Sequence, residues 1–394
     1  MMCQVRPTGG PAIPRMQCAG SCYVPPMRRS REWIEQELRR RIREGQYAPG
    51  TRMPPHRQLL RELGASSVTL QHAFDRLVEL GYVDPRKARG TFVAARLPHH
   101  STIALVFPDE PGFGSWNRFW ATAQRVGEEW SEGDARFRTY CIAGQRADSP
   151  GHRKLVADLE DGALAGMVFV NVPFSLSERR IFEVDVPRVC IGGGGQREAD
   201  LYGASFLGFV AGDIHERLVR RFHASGRKRL AALTATSASA ALQAQFTPLL
   251  RKLDMETRPE WWLGLPVTPQ GAVSARTVTH LLCSGPARQR PDCLVVCDDN
   301  LVPHASAGVL DARLQVPSDL EVACHANFPG PTRSAVDCVR FGTDMYELLR
   351  SAIAELARLG AGGKPQVIHL PMILRETARD GDRADECSIS EAMR

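Results

Sequence analysis

The sequence predicts a winged helix-turn-helix domain, α-helical with a β-wing, followed by an α/β domain of two lobes with doubly wound parallel sheets. Basic charge is concentrated at the start: residues 1–100 contain 17 Lys and Arg against 8 Asp and Glu, whereas residues 101–394 contain 33 against 36. Residues 31–93 combine three helical periodicities with a basic hairpin. From residue 102 onward, strand-like runs alternate with helical stretches, which is typical of parallel sheets covered by helices.

The composition is that of an ordinary globular protein. The 394 residues are 43% hydrophobic and 24% charged, and at roughly 150 residues per domain they suggest two or three domains. The sequence lacks an uncharged apolar run of about 18 residues, and the first 27 residues lack the apolar centre of a signal peptide. We therefore expect a cytoplasmic protein that neither spans a membrane nor is exported. Its 11 cysteines are expected to be mostly reduced core thiols.

The two ends of the chain show no apolar periodicity. We expect residues 1–27 to be a disordered leader and residues 379–394 a disordered, charged tail. Cys18 and Cys22 have the spacing of a metal-binding pair, but no second Cys or His pair follows at finger spacing. We therefore predict no metal site.

Residues 28–95 are predicted to form the winged helix-turn-helix domain. A first helix begins near Arg31, and a second turns three leucines inward. A third begins after Ser66, a favourable N-cap, and Gly81 ends it. The basic turn 84–90 between two short strands has the character of a wing. The apolar positions expected in the three helix cores are Ile34, Leu38 and Ile42, then Leu59, Leu60 and Leu63, then Leu70, Ala73, Phe74, Leu77 and Leu80.

Five short motifs in this region resemble the DNA-binding domain of the GntR family of bacterial transcription regulators. They are Tyr47-Ala-Pro-Gly-Thr-Arg-Met-Pro54, Arg57-Gln-Leu59, Leu63-Gly-Ala-Ser66, Leu77-Val-Glu-Leu-Gly-Tyr-Val83 and Arg89-Gly-Thr-Phe-Val93. The resemblance spans about 60 residues in the family's order. It implies a domain that binds double-stranded DNA, in agreement with the basic charge, which on its own would fit a solvated surface equally well.

The candidate DNA-binding residues lie at the start of the third helix, at the start of the second, and in the wing. The resemblance places Arg57 on a phosphate, and two departures from the family pattern stand out. Ser67 replaces an Arg, which removes a bidentate guanine contact and shifts base preference towards adenine read by Gln71, and Ala88 replaces a Gly. The complete set is Arg57, Ser66, Ser67, Thr69, Gln71, His72, Lys87, Arg89, Gly90 and Thr91.

A short linker at residues 96–101 is expected to lead into a two-lobed domain at residues 102–378. Strands are expected at 103–107, 137–142, 166–170 and 188–191, then at 230–234, 260–263, 293–297, 320–324 and near residue 368. Helices are expected between most of these strands, including one long helix from about residue 208 to residue 223 and another at residues 344–359.

Three motifs resemble the effector domain of LacI-family repressors, which share the fold of type I periplasmic sugar-binding proteins. They are Ser225-Gly-Arg-Lys-Arg-Leu230, Cys297-Asp-Asp-Asn-Leu301 and Leu314-Gln-Val-Pro-Ser-Asp-Leu-Glu-Val322. Joining a GntR-type domain to a LacI-type domain is the layout of the arabinose repressor type. The resemblance implies a cleft between the lobes that binds a small molecule, in the crevice at the carboxyl ends of the strands.

Five segments follow strands at that edge: residues 108–117, 192–195, 234–239, 298–300 and 325–327. The run of glycines at 192–195 could cradle a phosphate, but no Lys or Ser/Thr follows as a P-loop requires, so we interpret it as a strand-end turn. The candidate ligand-binding residues in the other segments are Asp109, Trp116, Asn117, Asp298, Asp299 and Asn327.

Two of these candidates have alternative interpretations. Asp299 matches the family's cleft Asp, which accepts hydroxyl hydrogens of a sugar, but a helix N-cap would use the same residue type. Trp116 could stack on the apolar face of a sugar ring or belong to the core. The family also places an Arg after the strand at 230–234, and residues 237–242 contain none. The class of effector is therefore open.

The sequence thus predicts a transcription regulator that acts as a homodimer on a pseudo-palindromic operator and responds to a sugar or sugar derivative. Repression is favoured over activation. The alternative is an enzyme or a degenerate sugar-binding protein that retains the DNA-binding domain as a tether. No cofactor is predicted, since an aminotransferase-like partner domain would need a Lys in a matching motif. The lysines beyond the first domain match none: Lys154, Lys228, Lys252 and Lys364. Adjacent Asp298 and Asp299 cannot converge as a glycosidase pair.

Overall fold

The computed structural model describes residues 30–113, 116–142, 149–171, 180–192, 203–211 and 213–375. The chain divides into two compact units between Ala94 and Ala95. The predicted leader at 1–27 and tail at 379–394 lie outside the described residues, as do residues 193–195 of the glycine run. None of the helices in the described ranges has the length and apolar character needed to cross a membrane.

The first unit consists of three helices and an antiparallel hairpin, as the sequence predicts. Its elements are α1 Arg31–Arg43, α2 His56–Leu63, α3 Ser67–Glu79, β1 Val83–Arg86 and β2 Gly90–Val93. The predicted apolar stripes are buried, except that Leu60 is only half-buried. Gly64, with φ 62°, ends α2 in the left-handed conformation that favours glycine.

The second unit begins with a short helix and continues into a six-stranded sheet of the first lobe. This sheet has the strand order β13-β7-β6-β5-β3-β4, and all of its pairs are parallel. The strands are β3 Thr102–Phe107, β4 Arg136–Cys141, β5 Gly166–Phe169, β6 Arg188–Ile191, β7 Ser205–Val210 and β13 Val367–Pro371. The helices α4 Pro98–Ser101, α5 Arg118–Glu128, α6 Pro150–Glu160 and α7 Arg180–Glu183 belong to the same lobe.

The second lobe contains another six-stranded sheet, in the order β14-β12-β11-β10-β8-β9, with only the β12–β14 pair antiparallel. Its strands are β8 Leu230–Ala235, β9 Trp262–Leu265, β10 Cys293–Val296, β11 Glu321–Phe328, β12 Val339–Asp344 and β14 Ile373–Arg375. Its helices are α8 Ile214–Ala224, α9 Ser239–Lys252, α10 Pro269–Ala272, α11 Ser274–Cys283 and α12 Val302–Asp311, with 3₁₀ turns at Thr236–Ala238 and Pro259–Trp261.

In the described part of the chain, three connections pass between the lobes. The first runs from β7 to α8, and the third runs from β13 to β14. The second runs from β12 to α13 Met345–Gly360, whose apolar face, including Leu348 and Leu349, packs in the core of the first lobe. The lobes are therefore folded from interleaved parts of the chain, which makes the crossings natural hinge points.

The expected long helix from about residue 208 to residue 223 is wrong at its start. Residues 205–210 form strand β7 in the middle of a parallel sheet, and the helix begins only at Ile214. The reason is that a short, continuous apolar run has no periodicity that separates a buried strand from a helix. Strands β12 and β14 were not predicted either. The expected linker at 96–101 includes helix α4, with Ser101 buried and Arg96 paired to Asp134 at 2.7 Å.

Candidate functional site

The first turn of α3 presents a small polar and apolar surface to solvent. The Ser66 hydroxyl accepts a hydrogen bond from the Thr69 backbone N–H at 3.1 Å and lies 2.6 Å from the Thr69 hydroxyl, which confirms the predicted N-cap. These two hydroxyls hold the helix end. Ser67 is exposed beside them, and the neighbouring Val68 side chain is 67% exposed.

One turn further along α3, Gln71 and His72 are exposed on the same side of the helix. The amide nitrogen of Gln71 donates to a carboxylate oxygen of Asp75 at 2.8 Å. This bond orients the Gln71 amide and leaves its oxygen and one N–H directed away from Asp75. The exposed surface of α3 therefore offers a donor and an acceptor next to an apolar group.

Arg57 lies in the first turn of α2 and is exposed. The residue before it, His56, packs its ring against that of Phe74 in α3, with 4.7 Å between the ring centroids. This contact joins the start of α2 to α3. Arg57 is therefore anchored next to the helix that carries Ser67 and Gln71.

The tip of the hairpin is basic and exposed, as predicted. Lys87 and Arg89 are exposed at the turn, and Thr91 is half-buried opposite Pro85. Ala88 has φ 59°, so the position where the family has a Gly is indeed in the left-handed conformation. Gly90 is also left-handed, at φ 95°.

Two arginines near the wing were missed by the sequence reasoning. A Cβ atom on Gly90 would lie 2.9 Å from Nε of Arg52, so the Arg52 side chain lies directly over this glycine. The guanidinium of Arg86 lies 4.4 Å from the centre of the Phe92 ring. Arg52 also forms an isolated antiparallel bridge with Phe92. Its place in the loop before α2 gave no sign of this contact, which depends on how the loop folds back on β2.

In the second unit, the two lobes touch directly at one side of the cleft. The Arg118 backbone N–H donates to the Asn300 side-chain oxygen at 3.1 Å, and the Arg125 guanidinium donates to the Pro329 carbonyl at 2.6 Å. A cavity of about 260 Å³ lies beside the first contact. Its lining comes from both lobes: Trp116, Asn117, Arg118 and Ala121 from the first, and Val267, Pro269, Ala272, Asn300 and His304 from the second.

Trp116 and Asn117 are thus brought to this cavity, and both also have structural contacts. Trp116 packs against Phe107 and Trp120, with ring centroids 5.2 and 5.8 Å apart. Asn117 is the N-cap of α5, since its side-chain oxygen accepts from the Trp120 N–H at 3.0 Å. Trp116 therefore belongs to an aromatic cluster and also lines the cavity, and its stacking on a sugar ring stays a prediction.

Asp299 is buried, with 4% of its surface exposed, and its carboxylate accepts a hydrogen bond from the Asn327 amide at 2.7 Å. Burial raises the pKa of Asp299 above its ordinary value, against the opposing effects of His325 and of the bond from Asn327. No side chain caps α12, so the N-cap interpretation of Asp299 is not what the structure has. Asp298 instead accepts from the backbone and side chain of Asn300, at 2.9 and 2.8 Å.

Other polar side chains lie on the same side of the second-lobe sheet as Asp299. Strand alternation and register place Thr234, Cys297 and His325 in one row at the carboxyl ends of β8, β10 and β11, with Asn327 one step beyond. Thr234 Oγ1, His325 Nδ1 and Asn327 Oδ1 are buried and make no hydrogen bond within the described ranges. Buried polar atoms ordinarily have partners, so this row can receive a polar molecule.

Of the remaining candidates, Asp298 lies next to Asp299, and its charge contributes to the raised pKa of Asp299. Asp109 is half-buried, and its carboxylate accepts from the neighbouring Glu110 N–H at 3.2 Å. Of the six candidates, Trp116 and Asn117 line the cavity, whereas Asp109, Asp298, Asp299 and Asn327 do not. Thr234 and His325 fell within the segments expected at the cleft, but were not singled out, because sequence alone does not tell which face of a strand each residue takes.

Comparisons with known proteins agree with both predicted domains. Residues 30–93 match the family model of bacterial regulatory proteins of the gntR family, and residues 219–378 match that of a periplasmic binding protein-like domain. The second unit therefore has the fold that the LacI-type resemblance implied, and the predicted fold class is confirmed.

Solved structures with this fold include several regulators. A putative ribose operon repressor from Burkholderia thailandensis is 14% identical, with a TM-score of 0.50, over 70% of this chain and 99% of that one. A LacI family transcriptional regulator from Lactobacillus casei, solved with bound sucrose, is 17% identical, with a TM-score of 0.50, over 70% and 98%. A complex of the transcriptional regulator CelR with cellobiose is 18% identical, with a TM-score of 0.52, over 79% and 90%.

Proposed function

We propose that this transcription regulator, which joins a GntR-type DNA-binding domain to a LacI-type effector domain, binds an operator as a homodimer and represses until a sugar or sugar derivative binds between its lobes. The observation that carries the effector part is the buried pair Asp299–Asn327, beside buried polar atoms of the second lobe that make no hydrogen bond among the described residues. Sucrose and cellobiose in the structures of similar fold support a carbohydrate.

On DNA, α3 enters the major groove with its first turn, as in other helix-turn-helix proteins. Ser67, Gln71 and His72 face the base edges, and Gln71, oriented by Asp75, reads adenine. Ser66 and Thr69 cap the N-terminus of α3 near the DNA backbone.

Arg57 contacts a phosphate beside α3. The wing, with Lys87, Arg89, Gly90 and Thr91, lies along the backbone, and Arg52 adds a further positive charge there.

In the cleft, the Asp299 carboxylate and the Asn327 amide bind hydroxyl groups of the effector, and Thr234 and His325 supply further polar contacts. Trp116, across the cleft, covers the apolar face of the ligand. Asp109 and Asp298 belong to the loops around this site. A ligand held by both lobes prefers one lobe arrangement, and the resulting population shift is what changes the DNA-binding form.

A second copy of the chain is the partner that an operator with two half-sites requires. The second lobe has two exposed leucines on neighbouring helices. Leu281 on α11 is 68% exposed, and Leu310 at the end of α12 is 52% exposed. These helices support a dimer contact, and Leu281→Glu should shift the protein towards monomer in analytical ultracentrifugation. The protein acts in the cytoplasm, where its DNA is.

The DNA part of the proposal is tested with duplexes selected from a random library by the full chain. Arg57→Ala should weaken binding to selected and random duplexes alike and lower the salt dependence by about one counterion. Arg43→Ala removes an equal, exposed charge at the end of α1 and serves as the control. If Arg57→Ala binds both duplexes with unchanged affinity, the proposed docking is wrong.

The effector part is tested by thermal-shift screening of the full chain against sugars and sugar phosphates, since a ligand of the folded state raises its stability. A stabilising compound that releases the operator and is recovered unchanged supports the proposal. Turnover of the compound would favour the alternative, an enzyme tethered to a DNA-binding domain.

A further inference from the structure

Two cysteines and an arginine come together on one face of two neighbouring strands of the second lobe. Strands β11 and β12 are parallel, and their register places Cys324 opposite Arg340. Cys338 lies two residues before Arg340 and therefore on the same face of the sheet. Both cysteines belong to one apolar core, and a hydrogen bond joins their thiols. Cys338 lies just before β12, whereas Cys324 is in the middle of β11, one residue before His325.

Arg340 is a buried cation that forms no ion pair with an acidic residue in the part of the chain that the structure describes. Only 8% of its surface is exposed, and its Nη1 atom is buried and makes no hydrogen bond within the described ranges. Because a buried charge is costly unless a counter-charge lies near it, this site favours a nearby anion. The thiolate of Cys338, two residues before Arg340 on the same face, can supply it.

The two thiols differ in acidity. The hydrogen bond from Cys324 and the charge of Arg340 lower the pKa of Cys338 to about 7, against burial and the nearby Asp337 carboxylate, which raise it. The pKa of Cys324 is held well above its ordinary value by the same hydrogen bond, which it donates, and by burial. Cys338 is therefore the more acidic thiol of the pair, and the hydrogen bond that Cys324 donates favours its thiolate.

Cys338 can be reached from solvent, although its side chain is largely covered. It lines a cavity of about 240 Å³ together with Arg221, Pro317, Glu321 and Asp337. Its volume exceeds that of several water molecules, at about 30 Å³ each, and therefore that of hydrogen peroxide. Other cysteines of this lobe differ: Cys283 and Cys293 are buried, line none of the described cavities, and burial raises their pKa.

We propose that Cys338 is a site of oxidation by hydroperoxides, with Cys324 as the second thiol. The Cys338 thiolate attacks one oxygen of the O–O bond; an S–O bond forms, the O–O bond breaks, and the leaving oxygen takes the electron pair and a proton from water. The Cys338 sulfur is oxidised to a sulfenic acid, and the peroxide is reduced. Cys324 sulfur then attacks Cys338, the S–O bond breaks, and the Cys324 proton leaves with hydroxide as water.

The test uses the reduced full-length chain and hydrogen peroxide, with peptide mass spectrometry. Trypsin cleaves after Arg333, so Cys324 and Cys338 fall on different peptides and a disulfide links them. We expect this linked pair after treatment with equimolar peroxide. In Cys324→Ser, dimedone should instead label a sulfenic acid at Cys338, whereas in Cys283→Ser the linked pair should form as in the parent chain.

A measurement on the unsubstituted chain keeps the test independent of how variants fold. Iodoacetamide should alkylate Cys338 at least about tenfold faster than Cys283 or Cys293 near pH 7, because only its thiolate is substantially populated. The proposal is overturned if Cys283 or Cys293 reacts with either reagent as fast as Cys338. It is also overturned if Cys338 resists peroxide while the chain remains folded.

Discussion

Val68 offers a direct test of how α3 meets DNA, because an apolar group at a base edge has one natural partner. Its side chain is 67% exposed in the first turn of α3, which we propose enters the major groove, next to Ser67, where the resemblance implies that a bidentate guanine contact is missing. In the major groove the apolar group at base edges is the thymine methyl. We therefore expect Val68 to lie against a thymine in the preferred operator.

The size of the effect follows from the groups removed. Val68→Ala deletes two methyl groups, one of which faces the base. Losing the burial of that one methyl group should weaken binding by about 0.8 kcal/mol, or about fourfold in affinity. Replacing the contacted thymine by uracil removes the other side of the same contact and should cost the parent chain a similar factor. Together the two changes should cost little more than either alone, since they delete one interaction.

The assay is fluorescence anisotropy of the full chain with a duplex selected from a random library, in which each thymine is replaced by uracil in turn. Val78→Ala is a matched control, because Val78 is also partly exposed on α3 but lies in its last turn. If no duplex is selected, sequence-specific binding itself is in doubt. If one is selected, but the uracil and Val68→Ala effects add at every position, Val68 does not contact a thymine methyl.

Three further predictions concern stability. Ala88→Gly should stabilise the full chain in calorimetry by up to about 1 kcal/mol. A φ of 59° strains a non-glycine residue by about 1–2 kcal/mol, and the greater conformational freedom of glycine in the unfolded chain offsets only part of that gain. A lower unfolding temperature of Ala88→Gly would contradict this. Burial lowers the pKa of His215 to about 4, so its contribution, present above about pH 6.5, is lost as pH falls towards 4, and His215→Phe should flatten that decline in urea unfolding. Burial raises the pKa of Asp299, so stability is lost as pH rises through that pKa, and Asp299→Asn should stabilise the chain near about pH 8 more than near about pH 4; an equal effect at both would exclude a buried carboxylate.

Sequence patterns predicted the first unit well because its helices are amphipathic and locally capped. The stripe of Ile34, Leu38 and Ile42 and the Ser66 cap are local features, and both appear as expected. Strand β7 escaped prediction, since an apolar run of six residues is equally compatible with a buried helix. Apolar periodicity and helix caps therefore predict the helices of this unit, whereas a short buried strand has no comparable local signal.

The site residues depended on long-range register, which no local pattern contains. Asp299 and Asn327 are 28 positions apart and meet because β10 and β11 are adjacent and in register. Cys324 and Cys338 meet for the same reason across β11 and β12. Residue type and position after a strand suggested Asp299, but its partner and its burial follow only from the assembled sheet.

The most direct test of the central claim is the affinity of the full chain for its selected duplex, measured with and without the compound found by thermal shift. The account predicts that the saturating compound changes this affinity at least about tenfold, or about 1.4 kcal/mol of coupling. Asp299→Ala should abolish that change and leave DNA binding without the compound nearly intact. Arg57→Ala should weaken DNA binding and leave binding of the compound unchanged. If the compound stabilises the parent chain but leaves its operator affinity unchanged, the two sites are not coupled and the account is wrong.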